Sequence, residues 1–66
     1  MTFSEYDIEH FEDLLFGEGD WFHAKLARLI AKADSHNLER LREGFPEEVK
    51  DFERWRETGS AREAKR

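Results

Sequence analysis

The sequence predicts a small all-α protein, a compact bundle of three to four short helices. Apolar residues recur at spacings of three and four along most of the chain, as they do on one face of a helix. No alternating apolar run bounded by turn residues, the pattern of a half-buried strand, is present. Six Phe, two Trp and one Tyr among 66 residues indicate a folded core, because disordered acidic segments are poor in aromatic residues.

Four helices are expected, over residues 4–16, 21–33, 36–43 and 46–58. Each range begins at a residue suited to a helix N-terminus: Thr2 or Ser4, then Asp20, then Ser35 or Asn37, and Pro46 at the first position of the last helix. Glycines at 17, 19, 44 and 59 end three of the four. Residues 1–59 are therefore predicted to form a single helical domain, followed by a flexible basic tail over 60–66.

The second helix is predicted to be central, because it is apolar on two sides. One arc holds the large residues Phe22, Leu26, Leu29, Ile30 and Ala33. The other holds small residues, which would let another helix approach closely. We predict an interface between copies of the chain formed by Ala24, Ala27, Ala31, Phe52 and Trp55.

Chain length and composition also favour self-association. A domain of 66 residues is marginal alone, and small domains usually gain stability from a disulfide, a metal or a partner. The absence of cysteine excludes disulfides and cysteine-ligated zinc. The net charge of −5 argues against binding to duplex nucleic acid. With no apolar run of about 18 residues and no secretory signal, we expect no membrane contact, a cytoplasmic location and a complete small gene product.

Charge is distributed unevenly, and one helix carries a row of cations. Residues 1–20 hold seven acidic residues and no Lys or Arg, whereas Lys25, Arg28 and Lys32 follow Trp21 within an arc of about 60°. We predict an anion site formed by Trp21 and these three cations, completed by Arg54 or Arg56 of a neighbouring copy. Two alternatives remain open: a solvated face, and an electrostatic contact with the acidic faces of the first and fourth helices.

Other chemistry has weaker support in the sequence. Arg40 and Arg42, with Arg54 and Arg56, form a second basic group that suits surface ion pairs or a phosphate. His10 and His23 each follow an aspartate by three residues, a spacing that metal sites in helical bundles use. The acidic face of the first helix could mimic a nucleic-acid backbone. Since no nucleophile motif or phosphate loop is present, we predict no enzymatic activity, no metal and no cofactor.

One long pattern resembles a family. The residues GDWFHAKLARLIAKAD (19–34), Asn37, RL (40–41), GFPEEV (44–49) and Trp55 are similar to those of small uncharacterised proteins of tailed phages and prophages, particularly of actinobacteria. Leu38 stands where that pattern has Arg, so one basic side chain is missing. The resemblance implies an accessory factor that binds other molecules in the host cytoplasm, including in opposition to host defence.

These observations lead to two functional expectations. The first is a non-catalytic phage protein that binds or sequesters a small anionic, nucleotide-like ligand, such as a signal of host defence. The second is a protein–protein inhibitor or adaptor that docks an acidic or aromatic helix face on a host or phage protein.

Overall fold

The computed structural model describes residues 2–61, which form five α-helices and no strand. The helices are α1 (Glu5–Glu9), α2 (Phe11–Phe16), α3 (Phe22–Lys32), α4 (Ser35–Gly44) and α5 (Pro46–Thr58). The predicted all-α class is confirmed. Five helices are present where three to four were predicted, because the segment expected to form a single first helix is divided.

The division of the first helix falls at His10. Its backbone, at φ −116° and ψ 36°, leaves the helical region. The imidazole Nδ1 donates to the carbonyl of Tyr6 over 2.9 Å, and the two rings stack with their centroids 4.1 Å apart. Neither glycine nor proline marks this position, so the sequence pattern contains no ordinary signal for the break.

Two helix N-termini differ from the predicted caps. The residue before α3 is Trp21, with extended backbone and no side-chain cap, so the prediction that Asp20 caps this helix is wrong. Helix α4 is capped by Asp34, whose carboxylate accepts from the backbone N–H of Asn37 over 2.8 Å. Ser35 is the first residue of α4 and not its cap. The capping carboxylate thus lies two residues after the end of α3 at Lys32.

Other predicted helix ends are confirmed. Ser4 caps α1 in a reciprocal pair with Asp7, in which each side chain bonds the other residue's backbone N–H. Pro46 occupies the first turn of α5. Gly59 ends α5 in the left-handed conformation, with φ at +82°, where a residue with a Cβ atom would be strained.

Helix α3 lies at the centre of the bundle, as predicted. It packs against α2 and α5, whereas α4 packs mainly on α5 and α1 on α2. The side chains buried between them form one apolar core: Phe3, Phe11, Leu14, Ala24, Leu26, Ala27, Ile30, Val49, Phe52 and Ala61. Because α4 rests on α5, it makes few direct contacts with α3, although only two residues separate them in the chain.

The small-residue arc of α3 belongs to this core. Ala24 and Ala27 have no exposed surface, and Phe52 is also buried. Trp55 is partly buried against the same core, and only Ala31 faces solvent. The predicted interface between copies is therefore wrong for Ala24, Ala27 and Phe52, since the chain itself buries them.

The packed part of the chain continues past the last helix. Ala61 is buried, and its carbonyl accepts from a guanidinium N–H of Arg54 over 3.0 Å. The domain therefore includes Ser60 and Ala61, which were predicted to begin the tail. The remainder of the predicted tail, residues 62–66, lies outside the described residues.

Candidate functional site

The predicted anion site is divided between two sides of α3. Its aromatic member, Trp21, is 45% exposed and donates its indole N–H to Oδ1 of Asp7 over 3.2 Å. Asp7 is almost completely buried. A carboxylate held against the indole disfavours an anion stacked on the same ring, because like charges repel at short range.

Arg28 supports the backbone around the end of α2. Its guanidinium donates to the carbonyls of Leu14, Gly17 and Gly19, the first of these over 2.9 Å. Carbonyls at a helix C-terminus lack partners within the helix, so Arg28 supplies them. Gly19 lies directly against the indole of Trp21, so a Cβ atom there would force that ring to move. Arg28 is therefore a structural residue.

The two arginines proposed to complete the anion site are also engaged within the chain. Arg54 pairs with Asp51 over 2.9 Å in addition to its bond to the carbonyl of Ala61. The guanidinium of Arg56 lies 5.5 Å from the centroid of the Phe52 ring, in a cation–π contact. Lys25 and Lys32 are the members of the predicted set that remain without such a partner in residues 2–61.

Lys25 and Lys32 line a groove between α3 and α4. One end is a cavity of about 230 Å³, lined by Phe22, Lys25, Leu26, Leu29, Leu41 and Phe45. The other is a cavity of about 320 Å³, lined by Leu29, Lys32, Ala33, Asn37, Arg40 and Leu41. Because Leu29 and Leu41 line both, the cavities form one continuous surface, called here the α3–α4 groove.

The floor and one edge of the α3–α4 groove are apolar. Phe22 and Leu29 are each 54% exposed, although both are large hydrophobic side chains on the central helix. The ring of Phe22 lies 6.0 Å from that of Phe45, which precedes α5. Contiguous apolar surface exposed by a folded chain commonly marks a place where another molecule binds.

The charges along the α3–α4 groove are all positive. Lys25, Lys32 and Arg40 line it, and no acidic residue among 2–61 does, although the chain has 16 acidic residues against 11 basic ones. In the part of the chain that the structure describes, none of these three cations is in an ion pair. The groove is therefore an apolar surface edged by available cations on a protein of negative net charge.

A bidentate ion pair fixes the position of α4, the second wall of the groove. Arg42 donates to the two carboxylate oxygens of Glu53 on α5, over 3.1 and 2.9 Å. This hydrogen bonding lowers the pKa of Glu53 below its ordinary value and raises the pKa of Arg42. Nearby on α5, burial raises the pKa of Asp51, against the hydrogen bond from Arg54.

A second polar contact joins α3 to the start of α5. Glu48 has no exposed surface, and its Oε2 accepts from Nε2 of His23 over 3.2 Å. The imidazole lies 5.2 Å from the rings of Phe3 and Phe22, measured between centroids. His23 thus positions the side chain of Phe22 at one end of the α3–α4 groove, a role that its spacing from Asp20 does not indicate.

The structure places the remaining candidate residues in structural contacts. Within residues 2–61, no three His, Asp or Glu side chains are close enough to share a metal ion. The two histidines that follow aspartates in the sequence bond elsewhere, His10 to the carbonyl of Tyr6 and His23 to Glu48. None of the described helices has the length and apolarity required to cross a membrane.

Sequence reasoning identified the cations of the groove and the apolar arc of α3, but it did not predict that Phe22 and Leu29 remain exposed. Leu41 and Phe45 come from α4 and from the residue before α5, so only the packing of α4 on α5 brings them beside α3. One signal was present in the sequence, because α3 carries large apolar residues in addition to a small-residue arc. The core buries the small-residue arc, and Phe22 and Leu29 on the other arc are left exposed.

No family model, curated protein or solved structure matches this chain. Its class is defined by the fold and the groove alone: a small all-α protein with an apolar, cation-edged surface between two helices.

Proposed function

We propose that the protein is a non-catalytic binding protein that docks an acidic, amphipathic helix of a partner protein in the α3–α4 groove. One observation carries the proposal. Large apolar side chains and cations without an ion pair share a surface that no acidic residue of the described chain lines. An acidic amphipathic helix has the complementary chemistry, with apolar residues on one side and carboxylates along its edges.

The dimensions of the groove support a helical ligand. Helix α3 has 11 residues and, at 1.5 Å per residue, presents an edge about 16 Å long. That length accommodates about three turns of a second helix lying alongside. In this mode of recognition, side chains at positions i, i+3 or i+4, and i+7 of the ligand enter the apolar surface. Leu29 and Leu41 lie at the centre, where both cavities meet.

The cations along the groove would select the ligand and orient it. Charges at the edge of an interface contribute mainly to the rate of association and to the rejection of wrong partners. Lys25 and Lys32 lie on α3 and Arg40 lies on α4, so a bound helix would meet positive charge on both of its sides. Binding should therefore weaken as the salt concentration increases, because exposed charge pairs are screened.

The predicted small, nucleotide-like ligand has less support than a helix. Two of the side chains proposed to hold it, Trp21 and Arg28, bond to the chain itself, and the groove offers an anion mostly apolar surface. A protein partner corresponds to the adaptor or inhibitor role expected as the alternative. The resemblance to small phage proteins, and the host partner that it implies, stays a prediction.

The proposal is tested with a designed peptide and a charge-reversed counterpart. A fluorescent helical peptide of about 15 residues, or four turns, carries Leu at i, i+3, i+4 and i+7 and Glu along the edges. Fluorescence anisotropy should detect saturable binding of this peptide and not of one with Lys in place of Glu. The variant Leu29→Ser should weaken binding by at least about tenfold, the loss expected when a residue at the centre of an interface is a hot spot.

Two lysines provide a matched control for the charges. Lys25→Glu and Lys50→Glu change the net charge equally, and Lys50 is exposed on α5 and does not line the groove. Lys25→Glu should weaken binding clearly more than Lys50→Glu. Equal weakening would mean that the peptide responds only to the overall charge of the protein, which would contradict docking in the α3–α4 groove.

A further inference from the structure

Phe16, the last residue of α2, is the most exposed large apolar side chain among the described residues, at 76%. The side chains of Glu12, Asp13 and Glu18, close to it in the chain, are exposed as well. Glu12 and Asp13 precede Phe16 by one turn of α2, and Glu18 follows it by two residues. The exposed ring and these three exposed carboxylates are called here the Phe16 knob. The ring adds little to the core of its own chain, because most of its surface stays in water.

The Phe16 knob and the α3–α4 groove are complementary in shape and charge. The groove's apolar end has a volume of about 230 Å³, and a cavity of about 150 Å³ is known to hold a benzene ring. Lys25 lines this apolar end, and Lys32 and Arg40 line the adjoining end of the same groove, so three positive charges along the groove can meet the three carboxylates of the knob. One molecule thus carries both halves of a contact.

The two surfaces do not meet within one chain. The ring of Phe16 lies 6.3 Å from that of Trp55, measured between centroids, and is therefore on the side of the bundle formed by α2 and α5. The groove lies between α3 and α4. A Phe16 ring that enters the groove must consequently come from another copy.

We propose that a second copy of this chain docks its Phe16 knob in the α3–α4 groove, so that the protein associates with itself head to tail. The inference rests on the proposed function, because it assigns an occupant to the same groove. Self-docking and a partner helix then compete for one surface, and the groove becomes accessible to a partner as the copies separate.

Sedimentation equilibrium from micromolar to millimolar concentration tests the inference. The wild-type chain should associate increasingly with concentration, and Phe16→Ser should weaken association by at least about tenfold. The matched control is Tyr6→Ser, which removes another aromatic side chain, 59% exposed, from outside both surfaces. Tyr6→Ser should associate like the wild type. Since both aromatic side chains are largely exposed, both variants should retain the helical circular dichroism of the parent.

Mixing two defective variants tests the head-to-tail geometry. Phe16→Ser retains an intact groove, and Leu29→Ser retains an intact knob. Each alone should be monomeric at a concentration at which an equimolar mixture forms a heterodimer. A mixture that stays monomeric, or association that Phe16→Ser leaves unchanged, overturns the inference.

Binding of the designed acidic peptide separates this inference from the proposed function. A wild-type chain that is monomeric throughout but binds the peptide overturns self-docking and leaves the proposed function in place. A monomeric chain that does not bind the peptide overturns both. If both are correct, self-association of the wild type competes with the peptide for the groove. At concentrations where the wild type self-associates, Phe16→Ser should therefore bind the peptide at least as tightly as the wild type.

Discussion

At the residue scale, Arg28 illustrates how a helix-face cation becomes part of the fold. The spacing of Arg28 from Lys25 and Lys32 predicts one continuous basic row, yet its guanidinium reaches backbone carbonyls at the end of α2 and in the loop that follows. The length of the arginine side chain and its several N–H groups make this possible. A lysine at the same position could not bond three carbonyls in the same planar arrangement.

The structural role of Arg28 can be measured. Arg28→Ala should lower the free energy of unfolding by about 1–3 kcal/mol, because it leaves backbone carbonyls without their charged donor. Lys25→Ala, one turn earlier on the exposed side of α3, should change it by less than about 0.5 kcal/mol. Urea denaturation followed by circular dichroism measures both. An Arg28→Ala variant as stable as Lys25→Ala would show that these hydrogen bonds contribute little to the fold.

At the scale of elements, the groove exists because α4 is attached to α5 and not to α3. The bidentate pair between Arg42 and Glu53 and the packing of Leu38 and Leu41 against the core hold α4 in this position. Asp34 starts α4 immediately after α3, so the chain reverses without filling the space between the two helices. A helix attached in this way leaves an apolar edge of its neighbour uncovered.

Acid titration should reveal the contribution of Glu53. Its folded-state pKa lies below the ordinary value of 4.5, so its stabilising contribution is present above that value and is lost as the pH falls through the folded-state pKa. The raised pKa of Asp51 acts in the opposite direction, since protonation relieves the cost of its burial. The variant Glu53→Gln should therefore lose less stability than the wild type between neutral pH and pH values below 4.5.

The matched control for this titration is Glu57→Gln, which removes an exposed carboxylate from the same helix. Asp51 is unchanged in all three proteins, so it contributes to each curve in the same direction. Urea denaturation at several pH values should separate Glu53→Gln from the wild type more than it separates Glu57→Gln, because the carboxylate of Glu53 is the one bonded to Arg42. Parallel curves for all three proteins would contradict a stabilising role for the Arg42–Glu53 pair.

At the scale of the whole molecule, a small core limits stability. At the usual 0.05–0.15 kcal/mol per residue, the chain should have a free energy of unfolding of about 3–10 kcal/mol. Ile30 is 1% exposed at the centre of the core, whereas its neighbour Leu29 is 54% exposed in the groove. The two residues therefore contribute very differently: one holds the bundle together, and the other is available to a ligand.

Truncation of these adjacent residues should have very different effects on the stability of the protein. Ile30→Ala should cost about 2–5 kcal/mol, a large part of the total, and leave much of the protein unfolded at physiological temperature. Leu29→Ala should cost less than about 1 kcal/mol, because little buried surface is lost. Thermal unfolding followed by circular dichroism provides the comparison. Similar melting temperatures for the two variants would contradict the burial that the structure assigns to them.

The sequence by itself determined the helical class, the ends of the last helix at Pro46 and Gly59 and the central place of α3. These features follow from local rules, because apolar spacing, proline and glycine act through the residues beside them in the chain. The break at His10 was not predictable in this way, since neither glycine nor proline stands there.

Only the tertiary structure decided which cations are available and where apolar surface remains uncovered. Arg28 became structural because the end of α2 lies beside it, and Lys25 and Lys32 became groove residues because α4 packs on α5. The residues of the α3–α4 groove are distant in sequence, from Phe22 to Phe45, and no periodicity within one helix relates them. These residues come together only through the packing of whole helices. The pattern of charges along the chain therefore did not identify the groove that those charges border.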